Sequence, residues 1–364
     1  MSIDYSLFAN VSASVPAIWH YSTGLVSLLC LICGTLSNGI VLFIFIKDPN
    51  LRQPRNFFII NLAITDLGLL LSNNTLHVIA SFKKQWIFGQ IGCNLYAICG
   101  GVFGLGSITT MAAISITRLV AVIRPLSSLT LSSQFTIKCL ICSWIYGSIW
   151  IMPPLFGWSR FVFEGFGTTC TFDYFSRGYW DKLFILTLVT GGFLIPLSII
   201  LLSYKFILIK LNRRSRRLTY RNSDEQNLQL RSRQSNVYSF QSANSVTDTR
   251  KQSETVTICE ANGENHIVQN SYLTEARARR TVLYICAIFC IAWAPYALTA
   301  VLSQFGFDRF ITPYTTAMLG LFTKTAACVN PLIYALSSVT FRQQLRSLMN
   351  SFYTCGQTSH SLSS

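Results

Sequence analysis

Seven stretches of about 20 apolar residues recur along this chain, at roughly 23–46, 56–80, 91–116, 136–157, 183–209, 281–304 and 311–336. Each is long enough to cross a hydrocarbon core as a helix. In lipid only helices and closed barrels satisfy their own backbone polar groups, so runs of this length specify helices. The expected fold is an all-α membrane protein, a bundle of seven transmembrane helices. Charged residues make up 12% of the 364 residues, about half the share of a soluble domain. An odd number of spans puts the two termini on opposite sides of the membrane.

The formal charge of +15 could suggest a nucleic-acid partner, but its distribution argues against one. With the N-terminus outside, most of the 29 basic residues fall on cytoplasmic segments, and about half lie between Lys205 and Arg280. That is the bias that sets topology, and it favours contact with anionic membrane lipid. Residues 1–21 read as an extracellular tail with a glycosylation acceptor at Asn10, and residues 22–338 as the bundle. Within the bundle, 211–272 is polar, nearly free of aromatics and expected to be a disordered third cytoplasmic loop. Residues 339–364 combine a short amphipathic eighth helix, with Phe341, Leu345, Leu348 and Phe352 at helical spacing, and a tail. Cys355 there is a candidate for lipidation.

Most of the twelve Cys lie in the spans, where a thiol behaves as a small apolar group. Cys93, at the outer end of span three, and Cys170, between spans four and five, face the oxidising side. A disulfide between them is expected, and it would pin the intervening loop across the mouth of the bundle.

One residue breaks the apolar pattern sharply. Lys324 lies deep in GLFTKTAACVNPLIY, seven residues before Pro331 and far from both ends of its span. A mid-bilayer Lys is unfavourable by about 2.5–3.5 kcal/mol on insertion scales, so it is rarely there without a task. A desolvated amine can condense with an aldehyde to form a Schiff base, which points to a covalent carbonyl ligand.

The order of markers along residues 22–353 resembles a class A G-protein-coupled receptor. They are Asn38, Asp66 in LAITDL, Arg118 ending span three, Trp144, Pro196 with Tyr204, Trp293-Ala294-Pro295-Tyr296, and Asn330-Pro331-Leu332-Ile333-Tyr334. Within that class the chain resembles an opsin, because Lys324 stands where opsins hold retinal, 11-cis or all-trans, as a Schiff base. AWAPYA and TTCTFDY lean toward invertebrate-type or non-visual members.

A protonated Schiff base needs a compensating carboxylate. Many vertebrate visual opsins place a Glu three residues after the span-three Cys, where this chain has Tyr96. The only acid within the spans is Asp66, toward the cytoplasmic half of span two. Glu164, six residues before Cys170, resembles the counterion of bistable opsins, and Asp173 is the competitor, expected instead to support the loop. A counterion at a distance would let the nitrogen stay protonated after isomerisation, giving a photoreversible, bistable pigment. The resemblance makes Trp293, Tyr296 and Tyr96 walls of the retinal pocket. His77, with Asn73 one turn before it on the same face, would lie near the Schiff base and tune it, or simply bond between helices.

On the cytoplasmic side the family usually has an acid before the span-three Arg, and this chain reads Thr117-Arg118-Leu119. Glu275 is the acid that could reach Arg118 from span six. Activation would rearrange Arg118, Tyr204 and Tyr334 and open a groove for a heterotrimeric G protein, with arrestin and a receptor kinase as further partners. Asn330, Pro331 and Asp66 belong to the same relay. The expected location is the plasma membrane. Two other readings share this architecture: a photoisomerase that releases retinal, and a receptor for a diffusible ligand. With four scattered His and no acid–base cluster in the spans, neither metal nor hydrolytic chemistry is expected.

Overall fold

A computed structural model of the chain describes residues 14–124, 132–213, 283–307, 309, 311–337, 341–347 and 350. Seven helices form an antiparallel bundle: α1 Ala17–Lys47, α2 Phe57–Lys83, α3 Gly89–Ile123, α4 Ser133–Ile149, α5 Tyr179–Arg213, α6 Leu283–Gln304 and α7 Pro313–Ser337. α1, α2, α3, α5 and α6 are each long and apolar enough to cross a membrane. Residues 341–347 form α8, whose Phe341 is buried 6.4 Å from the Phe45 ring of α1. Asn10, Glu275 and Cys355 lie outside the described residues, as do almost all of 211–272 and most of 339–364.

The bundle is apolar outside and polar within. Ile18, Leu36, Ile46, Leu201 and Ile291 point outward, whereas Asn38, Asn61, Thr65, Asp66, Asn73, Asn74, His77, Lys324 and Asn330 are buried. That inversion is stable where the surroundings are lipid, because each buried polar group then bonds to a neighbouring helix. Asn38 donates to the Ala327 carbonyl at 2.9 Å, Trp144 donates to Asn61 at 2.9 Å, and Asn330 donates to Asp66 at 2.8 Å. Below these links an apolar cluster including Ile44, Leu62, Met111, Ile200, Ile285 and Phe289 fills the cytoplasmic half.

Two helices leave regular α geometry. Leu70–Asn74 in α2 and Leu188–Leu194 in α5 widen into π turns. In α2 the cause is visible in the residues: Ser72, Asn73 and Asn74 are consecutive, and their side chains compete for backbone partners. Ser72 bonds Gly68, Asn73 bonds the Tyr96 carbonyl, and Asn74 bonds the Ser27 carbonyl. The sequence expectation of an apolar span at 136–157 is too long, since α4 ends at Ile149 and Pro153 and Pro154 open a 3-10 turn.

Between α4 and α5 the chain forms an antiparallel hairpin, β1 Phe161–Glu164 and β2 Thr169–Phe172, with Phe163 opposite Cys170 and Glu164 opposite Thr169. The Cys93–Cys170 disulfide ties β2 to α3, as expected. The turn needs glycine: Gly165 has φ +62°, and a Cβ there would meet Ala317 of α7 at 3.0 Å. The hairpin thus caps the end of the bundle and lays Glu164 against α7.

Candidate functional site

Lys324 lies about two turns before Pro331 of α7 and is buried. Its Nζ donates to the Tyr96 hydroxyl at 2.7 Å and lies 3.2 Å from Nδ1 of His77. Tyr96 reaches it from α3, one turn beyond the disulfide Cys93. His77 reaches it from the last part of α2, past the π turn, and its Nδ1 also lies 3.1 Å from the Ser27 hydroxyl of α1. Three helices therefore meet at one amine, with α1 supporting His77 from behind, and both immediate partners of the amine are formally neutral groups.

The carboxylate sits one layer away. Glu164 is buried at the tip of β1, and it accepts from the Tyr174 hydroxyl at 2.5 Å and from Tyr296 of α6. Tyr296 in turn lies 2.5 Å from the Thr171 hydroxyl of β2. The other carboxylate oxygen faces Gly320, one turn before Lys324, where an added Cβ would lie 3.8 Å from it. Lys324 and Glu164 form no direct ion pair, but they sense each other electrostatically. Burial pushes the Glu164 carboxyl up to about 7, while the hydrogen bonds from Tyr174 and Tyr296 and the charge of Lys324 pull it back. Burial, reinforced by the adjacent carboxylate, keeps the Tyr174 hydroxyl well above the ordinary tyrosine range, so it remains a donor.

Arg160 and Asp173 form an ion pair at 2.7 Å. Asp173 also accepts from the backbone N–H groups of Phe175 and Ser176 and from the Ser176 hydroxyl. Those bonds hold the segment after β2, so Asp173 does structural work and Glu164 is the carboxylate turned toward Lys324.

Trp293 of α6 stacks on Phe289, with ring centroids 5.5 Å apart. It approaches α3 so closely that a Cβ on Gly104 would lie 2.7 Å from the indole. Tyr296 packs against Tyr174, and Tyr96 packs edge-on to Trp86. Aromatic rings from three elements thus wall the interior around Lys324. The structure gathers Lys324, Tyr96, His77, Glu164 and Tyr296 into this one site, with Trp293 deeper along α6. Asn73 is adjacent but spends its amide on the Tyr96 carbonyl.

Ser27, Tyr174 and Thr171 belong to the site and carry no signal in the sequence. Serine, threonine and tyrosine in apolar runs are common, and only the packing of α1 and the hairpin brings these three to the centre.

At the other end, Asp66 and Asn330 are joined as described, and Pro331 follows inside α7. Tyr204 of α5 is buried in the cytoplasmic core. Thr117 bonds back to the Ile114 carbonyl at 2.8 Å, so its hydroxyl is spent within its own helix beside Arg118.

The chain matches the model of the 7 transmembrane receptor (rhodopsin family) over residues 37–334. It is 32% identical to a rhodopsin of Enteroctopus dofleini over 94% of this chain and 68% of the octopus protein. It is also 32% identical to "Rhodopsin, GQ-coupled" of Mizuhopecten yessoensis over 93% of this chain and 61% of that protein. The chain therefore spans about two thirds of the length of these relatives. The crystal structure of squid rhodopsin superposes with a TM-score of 0.77 at 31% identity, covering 94% of this chain and 88% of the squid one. With a buried amine at the centre of such a bundle, this chain belongs to the rhodopsin family of seven-transmembrane receptors, as one of its light-sensing opsins.

Proposed function

We propose that Lys324 holds retinal as a protonated Schiff base and that Glu164 is its counterion. The single observation that supports this most strongly is the layering of the site. Among the described residues the amine hydrogen-bonds to Tyr96 and His77, and the carboxylate nearest to it is buried behind a shell of tyrosines. Such a site fits a group that brings its own apolar bulk and places one positive charge at the Lys324 nitrogen. When bound, retinal supplies absorption of visible light and a change of shape on isomerisation from 11-cis to all-trans.

The chain's own residues do the rest. Tyr96 accepts a hydrogen bond from the protonated nitrogen, while Tyr174 and Tyr296 spread the Glu164 charge by hydrogen bonding. The disulfide and hairpin exclude water from above, which strengthens every charge interaction beneath them. Trp293 is the group on α6 best set to pass a change of shape to the cytoplasmic half. Outward motion of α6 would re-pair Arg118 with Tyr204 and Tyr334 and expose a groove for a heterotrimeric G protein, of the Gq class by analogy with the scallop relative. Because the carboxylate stands off the nitrogen, we expect the photoproduct to stay protonated and photoreversible.

Arrestin and a receptor kinase as partners, a plasma-membrane location with the N-terminus outside, glycosylation at Asn10, lipidation at Cys355 and an Arg118–Glu275 pair complete the reading. The test is light-dependent nucleotide exchange on a purified Gq heterotrimer. Exchange is expected in light with retinal, and none for Lys324→Ala. Exchange that needs no retinal would favour a diffusible ligand. Light-driven retinal release with no exchange would favour a photoisomerase.

A further inference from the structure

The Lys324 amine has hydrogens enough for both its partners, but the same nitrogen bonded to a carbonyl carbon and protonated has only one. That proton must choose between the Tyr96 oxygen at 2.7 Å and His77 Nδ1 at 3.2 Å. Tyrosine is a weak base and imidazole a good one. His77 is therefore the nearest base to the nitrogen, closer than Glu164, which makes no direct ion pair with it.

His77 also stands at the start of a polar seam. On α1, His20, Thr23 and Ser27 lie on one face, and on α2 so do His77 and Ser81. All five are buried, as is Asn74. The two helices meet so closely that a Cβ on Gly24 would lie 2.9 Å from the Cβ of Ser81. Near the top of the seam, His20 packs edge-on to Phe166 of the hairpin turn, at 5.5 Å. Two buried oxygens along it, Oδ1 of Asn74 and Oγ of Ser81, have no hydrogen-bond partner among the described residues. Buried polar atoms are rarely left unpaired, and ordered water is their usual partner in a polar crevice.

We propose that His77 is the proton exchanger of the Lys324 nitrogen, connected by the α1–α2 seam to water at the hairpin end of the bundle. This rests on the retinal reading above. The nitrogen's N–H bond breaks and its electron pair stays on nitrogen, while the proton bonds to the lone pair of Nδ1. The imidazolium then gives the Nδ1 proton to the Ser27 hydroxyl at 3.1 Å, which releases its own proton to water in the seam. Run backwards, the relay restores the proton. The other ionisable groups around the pair are Tyr96 on α3, Glu164 on the hairpin, and Cys30 and His20 on α1. None of these comes as close to the nitrogen as His77 while also facing the seam.

The test is the rate at which the nitrogen-bound hydrogen exchanges for deuterium in the dark, read from the C=N stretch of the retinal-bound protein by resonance Raman after transfer to D2O. His77→Asn is expected to slow exchange at least tenfold, with Ser27→Ala and Ser81→Ala slowing it by smaller factors. A purely structural role would move the absorption band and leave the rate alone. Exchange unchanged in both His77→Asn and Ser27→Ala overturns the proposal. A second readout needs no retinal: the imidazole 15N signals of the retinal-free protein, with His77 assigned by its loss in His77→Asn. A shift of that signal in Lys324→Met is expected, and a signal blind to Lys324 overturns the proposal. If no visible band forms, the retinal reading fails, and this second readout still decides the His77 contact.

Discussion

Glu164 carries a property that separates two roles for it. Its carboxyl is raised from 4.5 to about 7 because burial penalises the charge. A group whose acid form is favoured by folding stabilises the protein fully below the unfolded value, and that contribution is lost as pH rises through about 7. In the retinal-free protein, Glu164→Gln should therefore raise the melting temperature above pH 7 and flatten its pH dependence. In the retinal-bound protein the same change should weaken the visible band and abolish any shift of that band with pH. A variant band that still shifts with pH would assign the titration to another group. At this scale much of the site is legible in the sequence. A lysine in an apolar run and a loop acid six residues before a cysteine are both distinctive. Ser27 and Tyr174 were out of reach, because a hydroxyl in an apolar segment looks the same whether it faces lipid, a neighbouring helix or a site.

At the level of elements, the hairpin is held by a covalent tie and a glycine turn. The disulfide closes a loop of 77 residues between α3 and β2. Replacing Cys170 by Ser should cost roughly 2–4 kcal/mol of stability, read by thermal denaturation in detergent. Water would then also reach the layer around Glu164, so hydroxylamine should bleach the variant pigment faster in the dark. Equal bleaching would show that the hairpin does not seal the site. The seven helices were legible because each is a run of lipid-compatible length. Their irregularities were not. The π turn in α2 depends on whether Ser72, Asn73 and Asn74 find partners on α1 and α3, which no local pattern reveals. α4 ended early because its two prolines outweighed the hydropathy that continues beyond them.

Across the whole molecule, the site and the cytoplasmic face are linked through α6 and α7. Asn330, bonded to Asp66, and Pro331 follow Lys324 along α7 toward its cytoplasmic end. Asp66→Ala would leave the buried Asn330 amide without its acceptor, a loss of about 1–3 kcal/mol. Light-driven G-protein exchange should fall with it. Next to Arg118, the Thr117 hydroxyl is spent on Ile114 and offers no charge. Thr117→Asp should therefore lower signalling in the dark, measured as nucleotide exchange without illumination, and no change would show that dark-state restraint lies elsewhere.

The central claim is that Lys324 carries the light-absorbing group, and its most direct measure is the absorption spectrum of the purified protein with 11-cis retinal, before and after illumination, beside Lys324→Ala. The account predicts a visible band absent from the variant, converted by light to a stable product that a second wavelength reverses. A band that survives in Lys324→Ala, or none in either protein, would contradict it.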